Sequence, residues 1–257
     1  MTELEIIGLT AAGAVAGAIN AIAGGGTLLT FPVLLFYGTP ALVANATSTL
    51  ALVIGTAGSI FGFREHVRAV KPWLVRFLPV SLIGGVLGGM LLTHTKEETF
   101  AGLVPWLILF ATVLFFAQGA FRRFAGFGDK DEAHPHARAV WVAVAFQFAV
   151  SVYGGFFGAG IGILMLASLG FLGLRDIHQM NALKNVLGSL INVVAAVVFI
   201  AGGLIDWAKA GVMTVGALAG YFLGAHYSQR IPQRHVRRII TGIGLAISAR
   251  MFWERFR

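Results

Sequence analysis

The chain has 257 residues, of which 57% are hydrophobic and only 12% charged, with 34 glycines and no cysteine. That balance excludes an ordinary soluble domain, and the missing cysteines exclude disulfides, thiolate metal sites and cysteine nucleophiles. The net charge of +8 would suggest nucleic acid in a soluble protein. Here the Arg and Lys residues cluster in short loops between apolar runs, where positive-inside bias and anionic headgroups account for them.

Apolar runs of spanning length recur from end to end, so the expected fold class is an all-α polytopic membrane protein. A transmembrane barrel would show short segments alternating with period two, and these runs do not. The start, Met1-Thr2-Glu3-Leu4-Glu5, is acidic where a cleaved signal peptide would be basic. A first helix is expected over Ile6 to Ile22, broken at Gly24-Gly25-Gly26, followed by a short apolar segment from Thr27 to Tyr37. At about 1.5 Å per residue that segment crosses a core of roughly 30 Å only with difficulty, so it reads as a half-helix or a strongly tilted one. After Gly38-Thr39-Pro40 a helix is expected from Ala41 to Phe63, then a basic loop (Arg64, Arg68, Lys71, Arg76). Helices at Trp73 to Leu92 and Phe100 to Phe121 follow, joined by a mixed-charge turn of Lys96, Glu97 and Glu98.

The hydrophilic stretch Arg122 to Arg138 divides the chain into two candidate repeats, residues 1–125 and 138–257, with a connector at 126–137. Beyond it the pattern recurs. A helix from Ala139 to Phe156 runs into Gly158-Ala159-Gly160-Ile161-Gly162, a short segment continues to Leu174, and a helix extends from Asp176 to Ala201. A nearly neutral turn (Asp206, Lys209), a helix from Ala208 to Tyr227, a basic turn (Arg230, Arg234, Arg237, Arg238) and a last helix to Trp253 complete it. The expectation is therefore eight long and two short helical segments.

The register supports a duplication. A shift of 136 places Gly24 on Gly160, Gly26 on Gly162, Asn45 on Asn181, Ser48 on Lys184, Thr49 on Asn185 and Thr56 on Asn192. A shift of 135 places Gly85 on Gly220 and Gly89 on Gly224. The basic loops at 64–76, 122–138 and 230–238 should be cytoplasmic. That arrangement needs an odd number of crossings per half, five with the short segments counted, and so inverted repeats with both termini outside. Counting only the long helices gives parallel halves and places the 230–238 arginines outside.

Lys184 is the one full positive charge well inside an apolar run, and Asn181, Asn185 and Asn192 share its arc. A lysine there should face a protein interior or a water-filled cavity, unless it snorkels to the headgroups. Asn45, Ser48, Thr49, Thr56 and Ser59 form the matching stripe in the first half. Amide and hydroxyl donors around an ammonium suit a small oxyanion, while the same groups could serve as interhelical glue. The breaks at Gly24, Gly25 and Gly26 and at Gly158 and Gly160 could aim half-helix N-termini at an anion, or provide close packing. Gly84-Gly85-x-x-Gly88-Gly89 and Gly220-x-x-x-Gly224 read as packing faces.

No Asp or Glu falls inside an expected span; Asp176 and Asp206 sit at span ends. His134 and His136 lie in the connector among Asp and Glu, and no H-E-x-x-H or Walker motif is present. This points to a carrier or a narrow anion channel rather than an enzyme, with no cofactor or metal. The partners expected are a small anion and membrane lipids, not nucleic acid, with a homodimer left open.

Several stretches resemble the TauE/SafE family of sulfite exporters. They are Ala16-Gly17 leading to Gly24-Gly25-Gly26-Thr27-Leu28-Leu29, Pro32, and Asn45-Ala46-Thr47-Ser48. The second-half echo is Gly154-Gly155-Phe156-Phe157-Gly158-Ala159-Gly160 leading to Asn181-Ala182-Leu183-Lys184-Asn185. The resemblance covers essentially the whole chain and implies a bacterial inner-membrane permease that moves sulfite or a related anion, commonly outward. Sulfonate, thiosulfate and carboxylate remain alternative cargoes, and import an alternative direction.

Overall fold

The computed structural model describes residues 1–22, 25–62, 70–124, 137–171, 177–227 and 233–256. Residues 126–136 of the connector expected at 126–137, with Arg64, Arg68, Gly24, Asp176 and Arg230, lie outside them. The described residues form ten helices and no strand: α1 Glu3–Ile22, α2 Thr27–Phe36, α3 Ala41–Gly62, α4 Lys71–Thr93, α5 Glu97–Phe124, α6 Ala137–Phe156, α7 Ile161–Phe171, α8 Ile177–Ala201, α9 Trp207–Tyr227 and α10 Gln233–Phe256. Eight of these have 20 residues or more, while α2 has 10 and α7 has 11. Four of them, over 3–21, 71–93, 97–117 and 179–201, are long and apolar enough to cross a membrane by length and composition. Several helices begin a few residues earlier than periodicity predicts. In α1 and α5 the added first turn carries Glu3 and Glu5, and Glu97 and Glu98, whose charge complements the helix dipole.

Glycine sets the helix pairing. A Cβ at Gly216, Gly220 or Gly224 of α9 would strike the backbone at Thr10, Ala14 or Ala18 of α1, and Gly13 and Gly17 of α1 stand in the same relation to Met213 and Ala217. The two backbones therefore touch along their length and run the same way. Gly84 and Gly88 of α4 meet α6 likewise, at Phe148 to Val152 and at Val152 to Phe156. Gly85 and Gly89 of α4 lie against Ile191 and Ala195 of α8, and Thr93 against Gly202 just beyond it, so these helices are parallel too. Small residues allow this approach, which in lipid supplies van der Waals contact where hydrophobic driving force is absent.

These directions determine what the short helices do. Thr47 of α3 bonds to Asp206 at the start of α9, and Leu52 of α3 packs with Ala217 further along it, so α3 runs parallel to α9 and hence to α1. For α1 and α3 to run the same way, α2 must bring the chain back. It does so from Gly26, which lies against Ala16 and Asn20, to Tyr37, which lies against Gly8. Between α5 and α10 the direction is opposite, with Thr112 against Gly244 and the Trp106 and Phe252 rings 4.9 Å apart.

Polar contacts close the ends and the interior. The Glu97 carboxylate at the start of α5 accepts from the N–H groups of Ala41 and Leu42, capping α3 from a distant part of the chain. Gln147 of α6 is buried and donates to Ser81 of α4 at 3.0 Å and to Ser151 at 3.3 Å. Phe31, buried like Phe100 and Phe157, packs edge to face on both where α2, α5 and the α6–α7 turn meet, the Phe31 and Phe157 rings 5.5 Å apart. Phe36, Phe116, Trp141 and Phe222 point outward and are largely exposed, as lipid-facing side chains should be.

Gly220→Val should drive a side chain into the Ala14 carbonyl and cost at least about 2 kcal/mol, visible as loss of a monodisperse peak in detergent. Gly211→Ala lies on the same helix in open space and should leave the melting temperature unchanged or slightly raised.

Candidate functional site

The α6–α7 break brings together two of the four polar residues singled out in the second half, Lys184 and Asn192. α6 closes with the N–H groups of Phe157 and Gly158 both donating to the Tyr153 carbonyl, at 2.9 and 3.2 Å. Gly158 and Gly160 then adopt φ values of 80° and 81°, a left-handed conformation that strains any residue with a Cβ. Tyr153 returns its hydroxyl to the Ala159 carbonyl at 2.8 Å, so one side chain stitches both ends of the turn. α7 then starts at Ile161.

Three predicted residues surround this turn. Asn45 of α3 donates its Nδ2 to the Phe156 carbonyl at 3.0 Å. A Cβ at Gly158 would sit 3.7 Å from Asn192 Oδ1, and one at Gly162 would sit 3.3 Å from Lys184 Cδ. The Lys184 stem therefore crosses the first turn of α7, and its ammonium donates to Asn181 Oδ1 at 3.3 Å. Asn181, Lys184, Asn185 and Asn192 are all partly buried on α8. No Asp or Glu occurs between Ile177 and Ala201.

Asn45 is 1% exposed, and its Oδ1 has no donor within reach among the described residues. An amide is assigned its orientation from its hydrogen bonds; here the Phe156 carbonyl requires the NH₂ group on its side. The orphaned oxygen therefore belongs to the opposite side of the amide. Buried acceptors without partners are uncommon and costly.

The α1–α2 break is built differently. Gly25 has a φ of 96° and lies under the Phe115 ring. The Gly26 N–H donates to Asn20 Oδ1 at 2.6 Å, and the N–H groups of Leu28 and Leu29 turn back to Gly25 and Gly26. Thr30 bridges the Gly26 carbonyl and Ser48 Oγ, the latter at 2.6 Å, in a fully buried contact. Thr49 returns its hydroxyl to the Asn45 carbonyl. Ser48 and Thr49 are thus engaged within their own half, whereas Asn45 reaches the other. Gly24 and the side chain of Thr56 lie outside the described residues.

Asn20, Thr30 and Tyr153 were not anticipated as parts of these breaks. The spacing of Asn20 to Gly26 is the one sequence signal for the first, an amide placed one turn before a glycine interruption.

Lys209 pairs with Glu5 at 3.0 Å, and it donates to Thr39 Oγ1 at 2.9 Å and to the Tyr37 carbonyl at 3.3 Å. Asp206 accepts from the Lys209 N–H at 3.1 Å and gives its own N–H to Thr47. The expected neutral turn is therefore a polar knot joining α1, the α2–α3 turn, α3 and α9.

Residues 9–251 match a family model described as sulfite exporter TauE/SafE. The chain is 30% identical over 247 residues to a probable membrane transporter protein of Haemophilus influenzae, covering 95% of this chain and 92% of that one. It is 25% identical over 240 residues to the probable membrane transporter protein YfcA of Escherichia coli, at 93% and 86% coverage. With the probable membrane transporter protein YunE of Bacillus subtilis it shares 23% over 272 residues, covering 98% of each. No solved structure matches it.

Replacing Lys209 with Met should lower the melting temperature in detergent, as should Glu5→Gln. Because the two groups act as a pair, the double variant should lose less than the sum of the single ones, a coupling that a double-mutant cycle reads directly.

Proposed function

We propose that this chain, which belongs to the sulfite exporter TauE/SafE family, exports a small oxyanion, sulfite first among the candidates, by alternating access. Its family consists of membrane anion transporters rather than enzymes, and the chain is a multi-pass protein of the bacterial inner membrane. The observation that carries the oxyanion reading is Lys184, an ammonium on an apolar helix whose stem crosses the first turn of α7 and whose head is held by the Asn181 amide. A positive charge beside the positive end of a half-helix favours an anion. Asn181, Asn185 and Asn192 of α8, Asn45 of α3 and the turn at Gly158 and Gly160 complete the binding site. Ser48, Thr49, Thr56 and the glycines at 24, 25 and 26 form its counterpart in the first half.

The proposal includes inverted repeats, residues 1–125 and 138–257, and two features support it. First, exchanging the halves turns the pair α1 and α9 into α6 and α4, and the pair α3 and α9 into α8 and α4. Both members of each set are in contact, and α3 with α8 and α5 with α10 map onto themselves. Second, a constant shift of 136 carries Gly84 and Gly88, which face α6, onto Gly220 and Gly224, which face α1. The long helices α5 and α10 run in opposite directions, as inverted mates do. In this reading each repeat lends one helix to the other, and the rocking units are α1, α2, α3 and α9 on one side and α6, α7, α8 and α4 on the other.

Energetics need no coupling ion. With the cytoplasm negative, export of each negative charge gains about 2.3 kcal/mol for every 100 mV. In proteoliposomes, sulfite flux should saturate, show counterflow, and rise when a potassium–valinomycin potential makes the compartment holding sulfite negative. Linear flux without counterflow would point instead to a channel. Lys184→Met should reduce flux to the level of empty liposomes while leaving the melting temperature unchanged; flux at the wild-type rate would refute its role. Tags at both termini should be reached from outside the cell, and cytoplasmic termini would refute the orientation.

A further inference from the structure

Among the described residues, Asn45 is the one predicted site residue that crosses between the two bodies and still holds an unused hydrogen-bonding atom. Its Nδ2 is committed to the Phe156 carbonyl, at the end of α6 where the second-half break begins. Its Oδ1 is sealed from solvent and without a partner among the described residues. This atom is an acceptor only, so neither an ammonium-seeking carboxylate nor a bare oxyanion can satisfy it. Only a donor can.

Asn192 brings a second amide to the same turn, its end facing Gly158, two residues beyond Phe156. The surroundings of the α6–α7 break therefore combine a cation on Lys184 with two amides, of which Asn45 holds an acceptor without a partner among the described residues. A fully ionised oxyanion matches the first and meets the second with lone pairs against lone pairs. A monoanion that keeps one O–H or N–H matches both.

We propose that Asn45 is a specificity residue whose Oδ1 accepts a hydrogen bond from the transported anion, so that the cargo is a monoanion carrying a donor, hydrogensulfite rather than fully ionised sulfite. The assignment rests on the anion site proposed around Lys184 and sharpens it. Discrimination of this kind has a strong physical basis, because a polar group buried without its partner costs more than a matched pair gains. An analogue lacking the donor leaves Asn45 orphaned inside the complex.

The test compares two pyramidal monoanions of similar shape, hydrogensulfite, which has a donor, and chlorate, which has none. Binding to the purified full-length protein is measured by titration calorimetry at a pH where hydrogensulfite predominates. Hydrogensulfite should bind at least about tenfold tighter than chlorate, the ratio expected for one hydrogen bond gained against one acceptor left bare. Asn45→Leu should bring the two affinities together. Should that variant fail to fold for want of a donor to Phe156, Asn45→Thr keeps a hydroxyl for that carbonyl and places a methyl on the other branch. Equal binding of both anions to the wild-type protein would overturn the role of Asn45 and leave the Lys184 site standing. A preference that survives both substitutions would overturn it as well, by locating the acceptor elsewhere. Absence of binding by either anion would remove the Lys184 site and this assignment together.

Discussion

A helix interrupted inside a membrane must find partners for its freed backbone groups within the protein, since lipid offers none. Much of what is specific about this chain follows from meeting that demand at two places. At the first break the Asn20 amide takes the Gly26 N–H, and Thr30 takes the Gly26 carbonyl while holding Ser48. At the second break Tyr153 supplies both a carbonyl for two N–H groups and a hydroxyl for Ala159, and Asn45 reaches over from α3 to take Phe156. The first solution is closed within its own half. The second borrows from the other half, and Lys184 and Asn192 of α8 lie beside it.

Much of the fold was legible because it follows from period and composition. The eight long and two short segments emerged from apolar runs and from the glycine interruptions, with ends displaced by a few residues where acidic first turns extend the helices. Partnership was harder to read. Gly84 and Gly88 could be recognised as a packing face, yet nothing in the sequence says that the face meets α6 and not the neighbouring α5. The stripes at 45–56 and 181–192 were visible as arcs of polar residues. Their division of labour was not, because Ser48 is taken by Thr30 and Asn45 by Phe156, contacts that depend on where α2 and α6 end. Gln147, Glu97 and Lys209 carry structural polar contacts that the sequence shows only as an isolated polar residue and as members of two charged turns.

The packing of α1 on α9 and of α4 on α6 has a mechanical side. Where a Cβ would meet backbone directly, two helices share one surface and have no side-chain layer in which to slide. Such pairs move as single rods.

The knot around Lys209 has a consequence for the two faces of the molecule. A shift of 136 places Glu5 on Trp141 and Trp73 on Lys209, so under the proposed inversion one face is held by an ion pair and the matching positions on the other carry indole rings. Trp73 stacks on Phe77 and sits under the Arg76 guanidinium, 5.7 Å from its ring centre. For a carrier that opens to each side in turn, separating Glu5 from Lys209 is a step that dissolved salt eases, whereas parting aromatic rings from lipid headgroups is nearly indifferent to salt. Under the proposed alternating access, the two half-cycles would therefore answer to different features of the medium.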